Sequence, residues 1–587
     1  MPSTLTPEQL QAMERNALLN AVSHAGKAEV GAVVSKSLGE TPSLRTMAKD
    51  VAKAAAEVVK RVNALPLAEQ QKLLEERYPE ALEANEKKKQ ERKKEEEKRE
   101  EQLPPLAGAV QGKVVLRLPP EPSGFMTIGH AMAGVINDSY KRFYQGELWL
   151  RFEDTNPKRV KKAYYQSFRD GYGWLGISWE HEKNVSSDME VFYEHARKLI
   201  ERGEAYGCAC PADLVKKLRF EGVACEHRGQ SIEQNLSVWE GMLSRKYKEG
   251  EIVIRLKGDM SNLDHSLRDP NLMRVIDFPH PYVENKYVVW PVYDFEVVIE
   301  DKLCGVTHIL RSSEFHVALQ EKVRSLLGFP EVFVEQFSRF NFKGTPVSKR
   351  LLRPLVEEKV VEGWDDPRMP TIEGVKRRGI LPEAIRQFTM QVGYTKTEHT
   401  FDWSLLFAVN RKILDPISRR LFFVPDPVRV KVRGSTARTV TVPFHPSQEA
   451  LGKREIQVGA DATLLLPSSD VSAMKEGDVF RLMDLYNVRL VSKEGPVLEA
   501  EFAGDELRYD LKKLQWVVDD MSRSAVEVLE PSELYNEDET LNPNSLVLRK
   551  GFAEASFAAL QQGEIVQFPR YGFVRVDGPG RCILTHP

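Results

Sequence analysis

Apolar and polar positions change period several times along the chain, and each change marks a new kind of element. Before residue 102 the pattern is helical and rich in Ala, Glu, Lys and Leu, with Tyr78 the one aromatic residue and Thr6-Pro7-Glu8-Gln9 a capped helix start. From Lys113 to Leu118 the period falls to two. Val114, Leu116 and Leu118 alternate with Val115 and Arg117, and Pro119, Pro120 and Pro122 end the run because proline cannot donate to a sheet ladder. Ile128, Met132, Val135, Ile136 and Phe143 then recur at helical spacing. Thr127 stands as the N-cap of a helix that opens at His130, give or take a turn.

The alternation continues to about residue 342, which predicts a parallel sheet of the dinucleotide-fold type with a loop-rich insertion. A second strand, Glu147 to Glu153, ends in Glu153-Asp154-Thr155-Asn156-Pro157; a later one, Val306 to Arg311, ends before Ser312 and Ser313, read as helix caps. The C-terminal ends of such strands face the crevice where these sheets bind ligands. From 343 to 425 the pattern is mainly helical, with segments at Thr371 to Arg378 and Pro382 to Val392. After Pro425 short alternating runs separated by glycine turns predict all-β barrels.

The chain therefore divides into a helical N-terminal appendage with a charged linker (1–102), a Rossmann-type catalytic domain (112–203 and 288–342), an insertion (204–287), a helical connecting region (343–425) and a β-barrel region (426–587). No repeat of 20 to 50 residues is visible. The run from Glu86 to Glu101 has nearly balanced charges, with pairs such as Glu95 and Arg99 at helical spacing, and reads as a solvated helix or linker.

Composition narrows the class. No apolar run of about 18 residues exists, and the N-terminus lacks a basic stretch followed by an apolar one, so a soluble, non-secreted protein is expected. Five cysteines in 587 residues do not make a disulfide framework and favour a reducing compartment, the cytoplasm by default. The net charge of -3 neither supports nor excludes RNA binding. Neither GxxxxGK[ST] nor GxGxxG occurs, so a nucleotide in this sheet has to use the Gly124 to His130 turn. The free amides and positive dipole end of a helix start form a natural phosphate site there, and His130 adds a donor; an ordinary βα turn is the plainer reading.

Two further clusters carry chemistry. Cys208-x-Cys210 and Cys225-x-His227 supply four ligands in two close pairs, which suits a tetrahedral structural zinc, with incidental clustering as the alternative. In Gly344 to Arg350, GTPVSKR, Lys349 follows a flexible Gly-Thr-Pro turn and is placed to close on a triphosphate; a surface Ser-Lys-Arg triplet is the bland alternative.

The stretch RLPPEPSGFMTIGHA, Arg117 to Ala131, resembles the signature that opens the catalytic domain of class I aminoacyl-tRNA synthetases, in the form used by the glutamyl and glutaminyl branch. It departs chiefly at Thr127, where that branch usually has histidine. GTPVSKR resembles the second signature of the class, and Leu355 to Phe388 is similar to the same branch almost throughout.

This resemblance implies an ATP site made by Thr127, Gly129, His130, Ser348, Lys349 and Arg350, with His130 and Lys349 catalytic and Mg²⁺ accompanying ATP. It implies an amino-acid pocket of Arg117, Glu153, Tyr293 and Arg311. It also assigns a zinc site of Cys208, Cys210, Cys225 and His227 to an insertion that grips the tRNA acceptor end, and anticodon reading to the barrels.

Within the branch, HILRSSEF puts Arg311 where glutaminyl enzymes carry cysteine. Two arginines and one acid suit glutamate, with two carboxylates and one ammonium, whereas glutamine leaves a cation unpaired. The expected activity is ATP-dependent formation of glutamyl-adenylate and transfer to tRNA(Glu), in the manner of the archaeal and eukaryotic-like glutamyl enzymes. Alternatives are a non-discriminating form that also charges tRNA(Gln), a glutaminyl enzyme, a catalytically dead tRNA-binding paralogue, or a tRNA-modifying paralogue. The long all-β end argues against the last. A monomer is expected, with the N-terminal helices available to a protein partner and no membrane association.

Overall fold

The computed structural model describes residues 5–23, 26–41, 47–82, 104–312, 316–393, 397–508 and 510–587, apart from the side chains of residues 48, 49 and 349. The charged run at 86–101 lies outside the described residues. The chain forms two compact units, 1–104 and 105–587.

The first unit is four helices, α1 (Pro7–Ser23), α2 (Val30–Glu40), α3 (Ala48–Asn63) and α4 (Leu67–Arg77). Met13, Ala17 and Leu18 pack with Val33, Val51, Val58, Val62 and Leu74. Gln70 is buried among them, and its amide nitrogen lies within hydrogen-bonding distance of the carbonyls of Gly26, Val62 and Leu65, which ties the Gly26 turn to the end of α3.

The second unit opens with β1 (Val115–Leu118), α5 (Ile128–Tyr144), β2 (Glu147–Phe152), α6 (Lys162–Trp174) and β3 (His181–Asn184). These strands pair in parallel in the order β1-β2-β3. After α7 (Met189–Glu201) the chain leaves this sheet for an antiparallel one made of β4 (Ala205–Cys208), β5 (Val253–Leu256), β6 (Asn271–Val275) and β7 (Val289–Pro291), with α8 (Ala212–Glu221) and α9 (Ile232–Leu243) between β4 and β5. Its last strand lies beyond residue 287, so the antiparallel pairing runs past the expected end of the insertion.

The chain returns through α10 (Tyr293–Leu303) to β8 (His308–Ser312), α11 (Val317–Leu327) and β9 (Phe333–Phe337), with β8 parallel to β9. The Thr307 amide donates to Val115 O at 3.1 Å and sets β8 beside β1. The ends of β1, β2 and β8 thereby open on one crevice. Ser312 does not cap the following helix: it pairs with Phe337 in the ladder, which commits its backbone to the extended state. The helix begins at Val317 with His316 before it, and Ser313 lies outside the described residues.

The connecting region holds α12 (Lys349–Glu357), α13 (Ile372–Arg378), α14 (Pro382–Val392) and α15 (Trp403–Leu414). Thr371 caps α13, its hydroxyl accepting from Gly374 N at 3.1 Å. Two β-structures follow. In the seven-stranded sheet, the edge strands Lys513–Leu514 and Val517–Val518 are nearly contiguous in the chain, so the sheet curls back on itself around Val430, Leu464, Tyr486 and Trp516. The six-stranded sheet runs from Phe423–Pro425 to Ile565–Phe568. It is closed by Leu421 N donating to Gln567 O (3.0 Å) and Gln567 N donating to Arg419 O (2.9 Å), which removes its free edges. No described helix is long and apolar enough to cross a membrane.

Candidate active site

A cavity of about 920 Å³ lies outside the ends of β1, β2 and β8. Arg117, Thr127, Gly129, His130, Glu153, Tyr293, Arg311, Ser348 and Arg350 all line it, so the two signatures and the four pocket residues read from the sequence meet in one space. Lys349 is the first residue of α12, between two of those lining residues; its side chain lies outside the described residues.

One end of the cavity is built from two helix starts. Thr127 is extended and precedes α5; its amide donates to His130 Nδ1 at 3.3 Å and its hydroxyl lies 2.8 Å from the same nitrogen. Thr127 thus holds, by its Nδ1 edge, the imidazole of a residue that lines the cavity. Ser348 precedes α12 with extended backbone. Gly129 and Ser348 both line the cavity, and the positive dipole ends of two helix starts there favour an anionic ligand.

The segment after α12 builds the wall of this site. Ile128 N donates to Pro370 O (2.8 Å) and Ile372 N to Met126 O (2.9 Å), so the Met126–Ile128 turn is ladder-paired to residues 370–372. Phe125 stacks on Trp364 with ring centroids 5.3 Å apart. The Gly344-Thr345-Pro346 turn, read as flexible, is pinned instead: Tyr535 N donates to Gly344 O (3.0 Å) and Trp403 Nε1 to Thr345 Oγ1 (3.1 Å). These partners come from α15 and from a barrel loop, which local sequence does not reveal.

The other end is charged and buried. Arg117 is fully buried; its Nε lies 3.4 Å from Asp301 Oδ1, and its two terminal nitrogens meet no partner among the described residues. Arg311 is 5% exposed, in hydrogen-bonding contact with the Tyr293 hydroxyl. Burial and the neighbouring Arg117 charge both lower the Arg311 pKa, which is the signature of a site awaiting an anion. Burial raises the pKa of Tyr293, keeping it a neutral phenol.

Three residues central to this pocket escaped the sequence reading. Arg151, in β2, donates 2.9 Å bonds to both Glu153 and Asp301. Asp301, on α10, thereby links Arg151 to Arg117. Glu296, one turn earlier on α10, lines the cavity, and its Oε2 accepts from the Thr155 hydroxyl. Arg151 lies in the strand already singled out, two residues before Glu153, so it was open to notice; Asp301 and Glu296 look like any acids on an amphipathic helix.

Behind the pocket, the Asp154 carboxylate accepts from Tyr165 Oη (2.8 Å), Ser186 N (2.7 Å) and Ser186 Oγ (2.8 Å). Its carbonyl takes a hydrogen bond from His280 Nε2 at 3.0 Å, while His280 Nδ1 accepts from Tyr282 N at 3.2 Å. Those two bonds fix one neutral tautomer and tie the insertion to the strand end that carries Glu153.

In the insertion, the ligand atoms of Cys208, Cys210, Cys225 and His227 lie within 4.8 Å of one another. Cys208 Sγ and Cys225 Sγ are 3.8 Å apart. A tetrahedron with bonds of about 2.3 Å to sulfur has edges of about 3.8 Å, so the cluster fits zinc. Arg255, buried beneath it, reaches both sulfurs at 3.7 Å, and a cation there favours the thiolate form that ligation needs.

The profile of tRNA synthetases class I (E and Q), catalytic domain, matches residues 113–416, and two profiles of the anti-codon binding domain of the same group match 418–505 and 513–577. A protein named glutamate–tRNA ligase from Nitrosopumilus maritimus (strain SCM1) is 40% identical over 576 residues, covering 98% of each chain. Proteins of the same name from Pyrococcus furiosus (38% identical) and Korarchaeum cryptofilum (39% identical) match 96% of this chain and 96% of their own.

Proposed function

Because the chain belongs to the class I tRNA synthetases of the E and Q group, we propose that it acts as a glutamate–tRNA ligase: it activates L-glutamate with ATP and esterifies the 3′ end of tRNA(Glu) for translation. The observation that carries the choice of amino acid is the pair of buried guanidiniums, Arg117 and Arg311, opening on the same cavity as both phosphate-binding helix starts. Two fixed cations suit a dianionic substrate. Glutamine, one charge short, leaves a buried cation uncompensated.

In the first step a carboxylate oxygen of glutamate attacks the α-phosphorus of ATP. The bond to the bridging oxygen breaks, and pyrophosphate leaves with its electron pair. In the second, a hydroxyl of the terminal adenosine of tRNA attacks the acyl carbon and AMP departs. The protein contributes position and charge. His130 and the α5 amides meet the phosphates, and Lys349 neutralises charge growing on pyrophosphate. Mg²⁺ accompanies ATP. The Cys208, Cys210, Cys225 and His227 set would hold a structural zinc that keeps the insertion folded for the acceptor end, and the barrels read the anticodon. The enzyme works in the cytoplasm as a monomer, with its N-terminal helices open to a protein partner.

The test is pyrophosphate exchange and aminoacylation with purified tRNA(Glu) and tRNA(Gln), supplying glutamate or glutamine and identifying the product. Glutamyl-tRNA(Glu) is the expected product; formation of glutaminyl-tRNA, or RNA binding without adenylate, would replace this reading. Charging of tRNA(Gln) with glutamate would extend it to the non-discriminating form.

A further inference from the structure

Glu153 matches the acid expected to receive the substrate's ammonium, yet one of its oxygens already accepts from Arg151 at 2.9 Å. That guanidinium is fully buried and is itself held by Asp301, so it has no other place to go. Glu296 brings a second carboxylate oxygen to the same cavity. It is 2% exposed and lines the cavity; Oε2 takes the Thr155 hydroxyl, while Oε1 is buried with no hydrogen-bond partner among the described residues. A buried acceptor with nothing to accept is costly, and a site usually carries one only where a ligand supplies the donor.

We propose that Glu296 is a specificity-determining residue of the amino-acid pocket, its Oε1 receiving the substrate's α-ammonium beside Glu153. This rests on the glutamate reading above. Arg117 and Arg311 take the two carboxylates and Glu296 takes the amine, so the pocket distinguishes an amino acid from a plain dicarboxylate.

The charged groups facing Glu296 come from three elements. Glu153 and Asp154 stand at the end of β2, Glu300 lies one turn on along α10, and Arg274 projects from β6. Burial first, and then repulsion from Glu153, raise the pKa of the Glu296 carboxyl. An ammonium set against it favours the ionised form, so substrate binding lowers that pKa again and releases a proton to the extent that the free carboxyl carries one.

The experiment compares L-glutamate with glutarate, the same dianion without the amine, on the full-length enzyme with ATP and tRNA present. Glu296→Gln is expected to raise the glutamate KM at least tenfold while leaving inhibition by glutarate unchanged or tighter. Calorimetry in buffers of different ionisation enthalpy is expected to show proton release on glutamate binding to the unaltered enzyme and its loss in Glu296→Gln. Glu296→Thr, which removes the carboxyl with less crowding, is expected to behave alike, and an unchanged ATP affinity certifies folding. Equal losses for both ligands, or none for either, would overturn the assignment. An unaltered enzyme that activates no glutamate would overturn the functional reading and this inference with it.

Discussion

Arg353 donates to the Ser123 carbonyl at 2.9 Å, which ties the helix opened by Lys349 to the loop that precedes His130. Residues 230 positions apart thus fix the spacing of the two signature segments, to which the proposed function assigns the phosphates. Arg353 otherwise stands exposed, so its bond contributes to geometry more than to stability.

Arg353→Ala is expected to raise the KM for ATP by about 3- to 10-fold, the worth of about 0.5–1.5 kcal/mol for one hydrogen bond. Pyrophosphate exchange measures it. The thermal midpoint should hardly move, because little buried surface is lost.

Arg311→Cys removes the cation that a second carboxylate requires. The ratio of kcat/KM for glutamate over glutamine is expected to fall by about 10- to 150-fold, matching about 1.5–3 kcal/mol for a charged hydrogen bond. A ratio that stays put would place the choice of side chain elsewhere.

Arg151 stands between two buried carboxylates, and its removal takes the cation from Glu153 and leaves Asp301 only its longer contacts with Arg117 (3.4 Å) and Arg324 (3.6 Å). Arg151→Met is expected to cost about 3–5 kcal/mol and to lower the unfolding midpoint of the catalytic domain in urea. Loss of glutamate binding should accompany it, since Arg151 holds Glu153 and Asp301 together beside Arg117.

Much of the first signature was legible because its physics is local. Strand period, a proline stop, and a cap ahead of a helix are written within thirty residues, and α5 begins at Ile128 under Thr127. The Arg151–Asp301 pair was not, since it joins residues 150 apart and neither periodicity nor composition encodes which acid a buried arginine will meet. The Ser312 cap misread the same limit from the other side: a serine suited to capping is held in a ladder by Phe337, whose position only tertiary structure supplies. The Cys and His pairs were readable as ligands because their spacing alone restricts where their side chains can go.

His280 gives a pH test. Burial depresses its pKa to about 4, so the folded protein holds it neutral while the unfolded chain takes up a proton near pH 6.5. The unfolded state therefore binds more protons between those values, and the stability His280 contributes is present above about pH 6.5 and lost as pH falls toward 4. The gap in urea midpoint between the unaltered protein and His280→Gln is expected to narrow over that window.

Cys225→Ser is expected to lose bound zinc by elemental analysis and to expose the insertion to protease. Transfer to tRNA should suffer more than adenylate formation, because the cluster lies in the insertion and not on the cavity wall.

The pairing of Met126–Ile128 with residues 370–372 also bears on how the chain matures as it is synthesised. The bonds that hold the turn come from a segment some 240 residues downstream, so a nascent chain stopped before Pro370 has the letters of that turn without the partners that fix its shape.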